Sequence, residues 1–380
     1  MFNIEKSRKM MSAKDLSVIV SLTAENSYYV SGTHNISHYM VGQARPIICV
    51  IPRDGDPTII VQAWESVQTK IETWIKDIRT YEMFHSWVVQ TPVEALIGVL
   101  KEKGLDTGAI GIEKEYITVN DYNKLIEEMP KARLEECGGI FREMRMIKSK
   151  EEIEIMSKGA RATEKSILAA FDAARPGDTE WSLAENMTAE LTRLGADLTF
   201  SPSFFLVLAT GERKFINHPA PTQRQIKDGE ILRVDFGGLF SGYHSDIARV
   251  AVVGRPAEEQ LRAYDKLVTI VEDTVSSMRP GVRGSEVFVA GKEAYHRQGL
   301  PFGEDPSSYQ LVGHGLGLEL HEEPILSPTS NVLLQEGFVM SAEIMVRGKK
   351  ELIHYEDPVV VTNKDGRLLS GIQTQLPSIR

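Results

Sequence analysis

In the stretch VDFGGLFSGYHSD, Val234 to Asp246, two aspartates stand ten residues apart on what reads as a strand, a turn and a second strand. With the turn at Phe240-Ser241, Asp235 falls directly opposite Asp246. Like charges facing one another across strands repel, and one carboxylate is driven to keep its proton. Such a pair gains nothing for the fold. A cation between the two carboxylates is the natural expectation.

Three further places offer groups of the same kind. GHGLGLELHEEP, 313 to 324, carries His314 between glycines that let the backbone approach closely. SAEIMV places Glu343 inside an apolar strand, where a lone carboxylate is costly to bury. HYEDPVVVT places Glu356 at the start of another strand. Two Asp, one His and two Glu form an oxygen-rich, nitrogen-poor set that suits manganese, cobalt or zinc. Sites with two such ions hold them roughly 3.5 to 4 Å apart and use a bridging water or hydroxide as nucleophile. Each residue alone has a plainer reading, as a turn cap, a solvated acid or a satisfied core histidine. His34 and His38, in HNISHYM, are four apart but lack the glutamate of a helical zinc motif and read as solvent-facing.

The elements that must carry these groups follow from periodicity. From about Asp15 to Tyr81, LSVIVSL, NSYYVSG, RPIICVIP and PTIIVQA read as strands punctuated by Asn, Gly and Pro. PVEALIGVLKEKG and VNDYNKLIEEM have helical spacing, with AIGIEKE as a strand between them. This predicts a smaller α/β domain over residues 1–143. A second domain, 144–380, opens on a helix whose Ser149 and Glu152 form a capping box. Two more helices follow, one with Leu183, Met187, Leu191 and Leu194 on a face, the other with Leu261, Tyr264, Val268, Val271, Val275 and Met278. The interleaved strands SFFLVLA, EILRVDFGG, HSDIARVAVV, GFVMSAEIMV and PVVVT make this domain α+β.

The bulk composition narrows the partners. With 380 residues, 42% apolar and 25% charged, the chain has ample core for two domains. A net charge of -10 disfavours nucleic acid and anionic membranes, which need a basic face. Cys49 and Cys137 are the two cysteines, too few for a disulfide framework or a thiolate metal site, and read as reduced thiols of a cytoplasmic protein. No apolar run is long enough for a membrane span.

The order of Asp235, Asp246, GHGLGLELHEEP, Glu343 and Glu356 resembles the pita-bread metallopeptidases, which include methionine aminopeptidase, aminopeptidase P and Xaa-Pro dipeptidase, with creatinase as a metal-free relative. HPAPTQRQIKDGEILRVDFGG resembles their segment before the first aspartate. ENSYYVSGT and REMRMIKSKEEIEIM resemble the amino-terminal domain and linker of the creatinase and prolidase branch. The resemblance implies a pita-bread catalytic domain behind a creatinase-like amino-terminal domain. It implies two divalent ions, with Asp235 chelating one, Asp246 and Glu356 bridging both, and His314 and Glu343 completing the second. Glu343 would also be the general acid/base, and His218 and His321 would orient substrate and stabilise the oxyanion. The implied substrate is a short peptide, Xaa-Pro above all, and the implied assembly is a homodimer, in which the segment bearing His34 and His38 reaches a neighbouring subunit's site in some relatives.

The match loosens around the substrate. His354 stands where proline-specific members commonly have an arginine that helps read the substrate, Ile344 where a proline often follows the glutamate, and Ala248 where the usual motif has threonine. A histidine is shorter than arginine and only partly charged near neutral pH. Three alternatives follow: an aminopeptidase P-like enzyme on longer peptides, a metal-free creatinase- or ectoine-hydrolase-like enzyme acting on another C–N bond, and a non-catalytic peptide-binding module.

Overall fold

A computed structural model describes residues 2–35, 38, 41–198, 204–303, 311–348 and 350–380. The chain divides into two compact units, Met1–Arg145 and Met146–Arg380.

In the first unit, strands β1 (Val18–Ser21), β2 (Ile48–Pro52), β3 (Thr58–Gln62), β4 (Asp77–Phe84), β5 (Trp87–Gln90), β6 (Gly108–Ile112) and β7 (Ala132–Glu136) form one mixed sheet. Their order is β5-β4-β3-β2-β1-β6-β7. The helices are α1 (Ile4–Ala13), α2 (Ala24–Ser31), α3 (Ser66–Glu72), α4 (Pro92–Glu102), α5 (Val119–Glu128) and α6 (Gly138–Met146). The central strands are apolar on both faces because helices cover both. Val20, Val50, Ile60 and Ile110 pack with Leu96 and Leu100, while Ile19, Ile51 and Ile59 pack with Met11, Phe141 and Met144.

Two expectations fail in this unit, for local reasons. NSYYVSG is helix α2 rather than a strand. The Thr23 side chain caps it by accepting from Asn26 N, Gly32 ends it at φ 73°, and buried Glu113 accepts from Leu22 N and Thr23 N. These caps outweigh the strand preference of the two tyrosines and the valine. His38 is buried rather than solvent-facing. Its Nδ1 accepts from Ile47 N at 3.1 Å, and burial pushes it down to about 4. His34 is half-buried, its ring 5.5 Å from that of Tyr28.

The second unit is built on β8 (Phe204–Ala209), β9 (Ile231–Phe240), β10 (Tyr243–His244), β11 (Ile247–Val253), β12 (Gly313–Gly315), β13 (Val339–Arg347), β14 (Leu352–Val361), β15 (Gly366–Leu368) and β16 (Ser378–Ile379). The order is β10-β9-β11-β14-β13-β12, with β8 on β9, β15 on β14 and β16 on β11. Helices α7 (Lys150–Ala173), α8 (Glu180–Arg193), α9 (Glu258–Ser277) and α10 (Gly284–Arg297) accompany the sheet. The Ser149–Glu152 capping box starts α7. Tyr264, Val268, Val271 and Val275 of α9 are buried with Ala342, Ile344, Ile353 and Tyr355. Leu261 is 42% exposed. Gln260 takes the buried place in that first turn, accepting from Ala257 N and donating to Gly229 O.

The hairpin between β9 and β11 turns two residues later, in register terms, than the opening stretch suggested. Phe240 pairs with Tyr243, and Ser241 and Gly242 occupy the turn with φ of 48° and 78°. Two consecutive positive φ values are what a two-residue type I′ hairpin needs, and glycine supplies the second without strain. Asp235 therefore faces Ala248 directly, and Asp246 lies diagonally across from it on the same face. Glu356 lies in the middle of β14 rather than at its start, because the strand runs through Pro358. The proline is tolerated where β14 changes neighbour, from β11 at Ala248 to β15 at Leu368.

Arg249 locks β11 to β14. Its Nη1 donates to Ala248 O and Glu356 O, each at 3.0 Å, and its Nη2 donates to Glu164 at 2.6 Å and Asp357 at 2.7 Å. Arg249 and Asp357 are both wholly buried. Arg249→Met leaves Asp357 charged and unpaired, and is expected to cost about 3–5 kcal/mol, read as a lower denaturant midpoint. Among the described residues no helix is long and apolar enough to cross a membrane, and Cys49 and Cys137 are free and buried.

Candidate metal centre

Alternation along antiparallel strands puts the acidic residues in rows on one face. Across four strands run Asp235 of β9, Ala248 of β11, Glu356 of β14 and Glu343 of β13, each beside the next. Ala248, with its single methyl, separates Asp235 from Glu356. One row towards the hairpin lie Asp246 and His314, the latter paired with Ser341. One row the other way lie Arg233, facing Val250, and His354, facing Met345.

The structure thus brings together all five residues expected to bind metal, and His354 with them. His314 Nε2 is 3.3 Å from Glu356 Oε1 and 3.7 Å from Asp246 Oδ2. His354 Nε2 is 3.3 Å from Glu343 Oε1 and 3.7 Å from Glu356 Oε2. Two triads, Asp235–His354–Glu356 and Asp246–His314–Glu356, each have candidate ligand atoms within 4.8 Å of one another, and Glu356 is common to both. All six side chains are buried. Ser341 Oγ donates to Glu356 Oε1 at 2.5 Å.

Glycine makes the position of His314 possible. A Cβ on Gly313 would lie 1.9 Å from Ser341 O, and one on Gly315 would lie 2.5 Å from Glu323 O. The chain after Gly315 folds back so that Gly315 and Glu322 exchange backbone hydrogen bonds, which brings the His321 ring within 4.3 Å of the His314 ring. The fold-back is anchored by a buried ion pair, Lys148 Nζ to Glu322 Oε2 at 2.9 Å, while Glu322 Oε1 accepts from Leu318 N and Glu319 N. His321 and His218 are exposed at the rim. Partial desolvation, with His314 beside it, lowers the pKa of His321. His218 follows Asn217, whose carbonyl accepts from Nη2 of Arg233 at 2.9 Å, and the same guanidinium donates through Nε to His354 Nδ1.

The electrostatics call for a cation. Burial first, and the neighbouring carboxylates second, push Asp235, Asp246 and Glu343 well above the usual carboxylate range. Burial acts on Glu356 too, but His314, His354 and Ser341 outweigh it and hold Glu356 at about 2. Burial, then the Arg233 guanidinium, pushes His354 down to about 3. Asp235 Oδ1, Asp246 Oδ1 and Glu343 Oε2 are buried without a hydrogen-bond partner among the described residues. Buried oxygens left in this way, on carboxylates that repel one another, fit divalent ions.

A pH dependence follows. The three carboxyls with raised pKa hold protons in ion-free protein that an ion must displace, so ion binding tightens as pH rises, by roughly tenfold per pH unit for each proton displaced. The gain in melting temperature on adding manganese is expected to widen between about pH 6 and pH 8. Differential scanning calorimetry with and without chelator measures it. A gain that shrinks with pH would contradict the raised carboxyls.

Arg233, Ser341 and Lys148 were not picked out from the sequence. The first two could have been: each stands two residues before an acid of the cluster, Asp235 or Glu343, on the same face of the same strand. Lys148, joined to Glu322 across 174 positions, left no local trace.

Comparison with known proteins agrees with this architecture. The profile of metallopeptidase family M24 matches residues 154–363, and that of the creatinase/prolidase N-terminal domain matches residues 3–147. An Xaa-Pro dipeptidase of Pyrococcus furiosus is 26% identical over 375 residues, 98% of this chain and 99% of that protein. Among solved structures, an X-Pro aminopeptidase from Thermotoga maritima superposes with a TM-score of 0.83 at 22% identity, covering 100% of both chains. Prolidase from Pyrococcus furiosus superposes at 0.79 with 24% identity, over 96% of this chain and 99% of that one. A family profile spanning more than half the chain coincides with the unit that gathers these acids, and so the chain belongs to metallopeptidase family M24, behind a creatinase/prolidase-type N-terminal domain.

Proposed function

We propose that this protein is a metal-dependent exopeptidase that hydrolyses the amino-terminal peptide bond of short peptides, Xaa-Pro dipeptides above all. The observation that carries the reading is the sharing of Glu356 between two buried ligand triads, with Glu343 directly across the strands from it. In this reading Asp235, Asp246, His314, Glu343 and Glu356 hold two divalent ions, manganese, cobalt or zinc. Bound there, such ions supply Lewis acidity toward a scissile carbonyl and lower the pKa of water toward neutrality.

The chain's own groups do the rest. Glu343, with Oε2 free of hydrogen bonds among the described residues, takes up a proton during attack and returns it to the leaving amine. His321 and His218, at the rim, orient the peptide and donate to the oxygen on which negative charge develops. The name of the Pyrococcus furiosus relative supports proline in the second position. The same reading carries a homodimer in the cytoplasm, with which the free buried Cys49 and Cys137 are consistent.

A specific observation favours a second reading, an aminopeptidase on longer peptides. His354 is wholly buried and held uncharged, so it offers no cation to the free carboxylate of a dipeptide. Turnover of Xaa-Pro dipeptides, Xaa-Pro-Yaa tripeptides and non-proline peptides by the manganese- or cobalt-loaded protein separates the two. Dipeptides turned over best uphold the first reading, tripeptides the second. No turnover of any peptide overturns both.

A further inference from the structure

His218 stands on the segment that leaves β8 at Ala209 and enters β9 at Ile231. Its side chain is exposed, yet the backbone on either side of it is held by two buried charged residues to which the reaction above gives no role. Glu180, wholly buried at the first turn of α8, gathers the two ends of the segment. Its Oε1 accepts from Thr210 N at 2.9 Å and Thr210 Oγ1 at 3.2 Å. Its Oε2 accepts from Thr222 N at 3.0 Å, from Thr222 Oγ1 at 2.8 Å and from Nη1 of Arg213.

Arg233 fastens the middle. Its Nη1 donates to Lys214 O at 3.2 Å and Ile216 O at 2.9 Å, and its Nη2 to Asn217 O at 2.9 Å. Past His218, Pro219 O accepts from Leu208 N at 3.0 Å, and Ala220 O accepts from Nη2 of Arg213 at 2.6 Å. The carbonyls before and after His218 are therefore all engaged. A plainer reading makes Glu180 a helix-start acid, favoured there by the helix dipole. The start of α8 is already capped by Thr179, whose side chain accepts from Ser182 N. A buried carboxylate is costly unless donors meet its charge, and the donors to Glu180 named above all come from the segment that bears His218.

We propose that Glu180 and Arg233 are positioning residues that preset the segment from Thr210 to Thr222, so that His218 meets the peptide already in place. Order established before substrate arrives spares the cost of creating it at the reacting centre. The part given to His218 rests on the exopeptidase reading above, while the fixing of the segment does not.

Amide hydrogen exchange of the full chain reads the segment itself, and a double-mutant cycle with manganese-loaded protein reads its consequence. In Glu180→Gln the new amide sets its own N–H groups against those of Thr210 or Thr222. Exchange at Leu208 and Ile216, whose amides donate to Pro219 O and Arg213 O rather than to Glu180, is expected to rise about tenfold or more. Metal content is expected to be unchanged, and kcat/KM on Xaa-Pro peptides to fall about 10- to 100-fold. In a His218→Ala background the same change is expected to cost about twofold or less, because the group it displaces is already gone. A full multiplicative loss in the double variant, a lost ion in Glu180→Gln, or wild-type turnover by His218→Ala overturns the proposal. Should Glu180→Gln not fold, Arg233→Lys is put through the same measurements with the same outcomes deciding, since lysine keeps the charge but lacks the planar fork that reaches three carbonyls. If the wild type turns over no peptide, the exopeptidase reading fails, and exchange alone decides. Raised exchange at Leu208 and Ile216 then upholds the presetting of the segment, and unchanged exchange overturns it.

Discussion

Replacing Glu356 by alanine is expected to lower metal content at both positions and to reduce peptide turnover by three orders of magnitude or more, on the order of what acid–base catalysis and charge stabilisation together supply. Glu356 is the one acid common to both triads, and its two oxygens face different histidines, Oε1 toward His314 and Oε2 toward His354. It also carries its charge most readily, since Ser341 and His314 bond to it. Asp235 cannot take its place, because Ala248 separates the two across the strands. Elemental analysis after dialysis and a peptide assay check the two expectations. Unchanged metal content would show that the ions sit elsewhere.

Glu343→Gln is expected to move activity and stability in opposite directions. The amide has nearly the shape of the acid but cannot accept a proton, so turnover falls by about 10²- to 10⁴-fold. In ion-free protein the same change removes a group whose ionisation the fold opposes. Burial and the nearby Glu356 raise the pKa of Glu343, and an acid with a raised folded-state pKa binds more protons folded than unfolded. Its penalty is absent below the unfolded value of about 4.3 and grows as pH rises toward the folded value. The ion-free variant should therefore melt above the ion-free wild type near neutral pH and alongside it in acid. Such opposition of function and stability is common where like charges are gathered for chemistry. A variant that loses both stability and activity would recast Glu343 as a structural residue.

Much of the site was legible because strands repeat every two residues and the cluster lies on one face of one sheet. Asp235, Asp246, Glu343 and Glu356 stood out as acids in apolar strands, and each is buried. The exact pairing was not legible. Moving the hairpin turn from Phe240-Ser241 to Ser241-Gly242 changes the residue opposite Asp235 from Asp246 to Ala248, and only the positive φ values at the turn decide between them. The conclusion that the two aspartates share a site survives because the shift keeps both on the same face.

What escaped the sequence depended on partners far along the chain. Helix α2 read as a strand from its own residues, and Glu113, 90 positions beyond Thr23, accepts from the backbone that leads into it. His38 read as exposed from a four-residue spacing, but it lies under cover and bonds to Ile47 N. His354 read as a substitute for an arginine that contacts substrate. Its ring instead bonds to Arg233, which stands 121 positions earlier and two residues before Asp235. Spacing within a segment cannot reveal such contacts, since they follow from how strands order themselves in the finished sheet.

Crystals grown with manganese and measured at a wavelength where manganese scatters anomalously test the central claim most directly. Two anomalous peaks roughly 3.5 to 4 Å apart are predicted, both touching Asp246 and Glu356, with His314 beside one of them and Asp235 beside the other. No peak within reach of these side chains, or a single peak bound through His354, would contradict it.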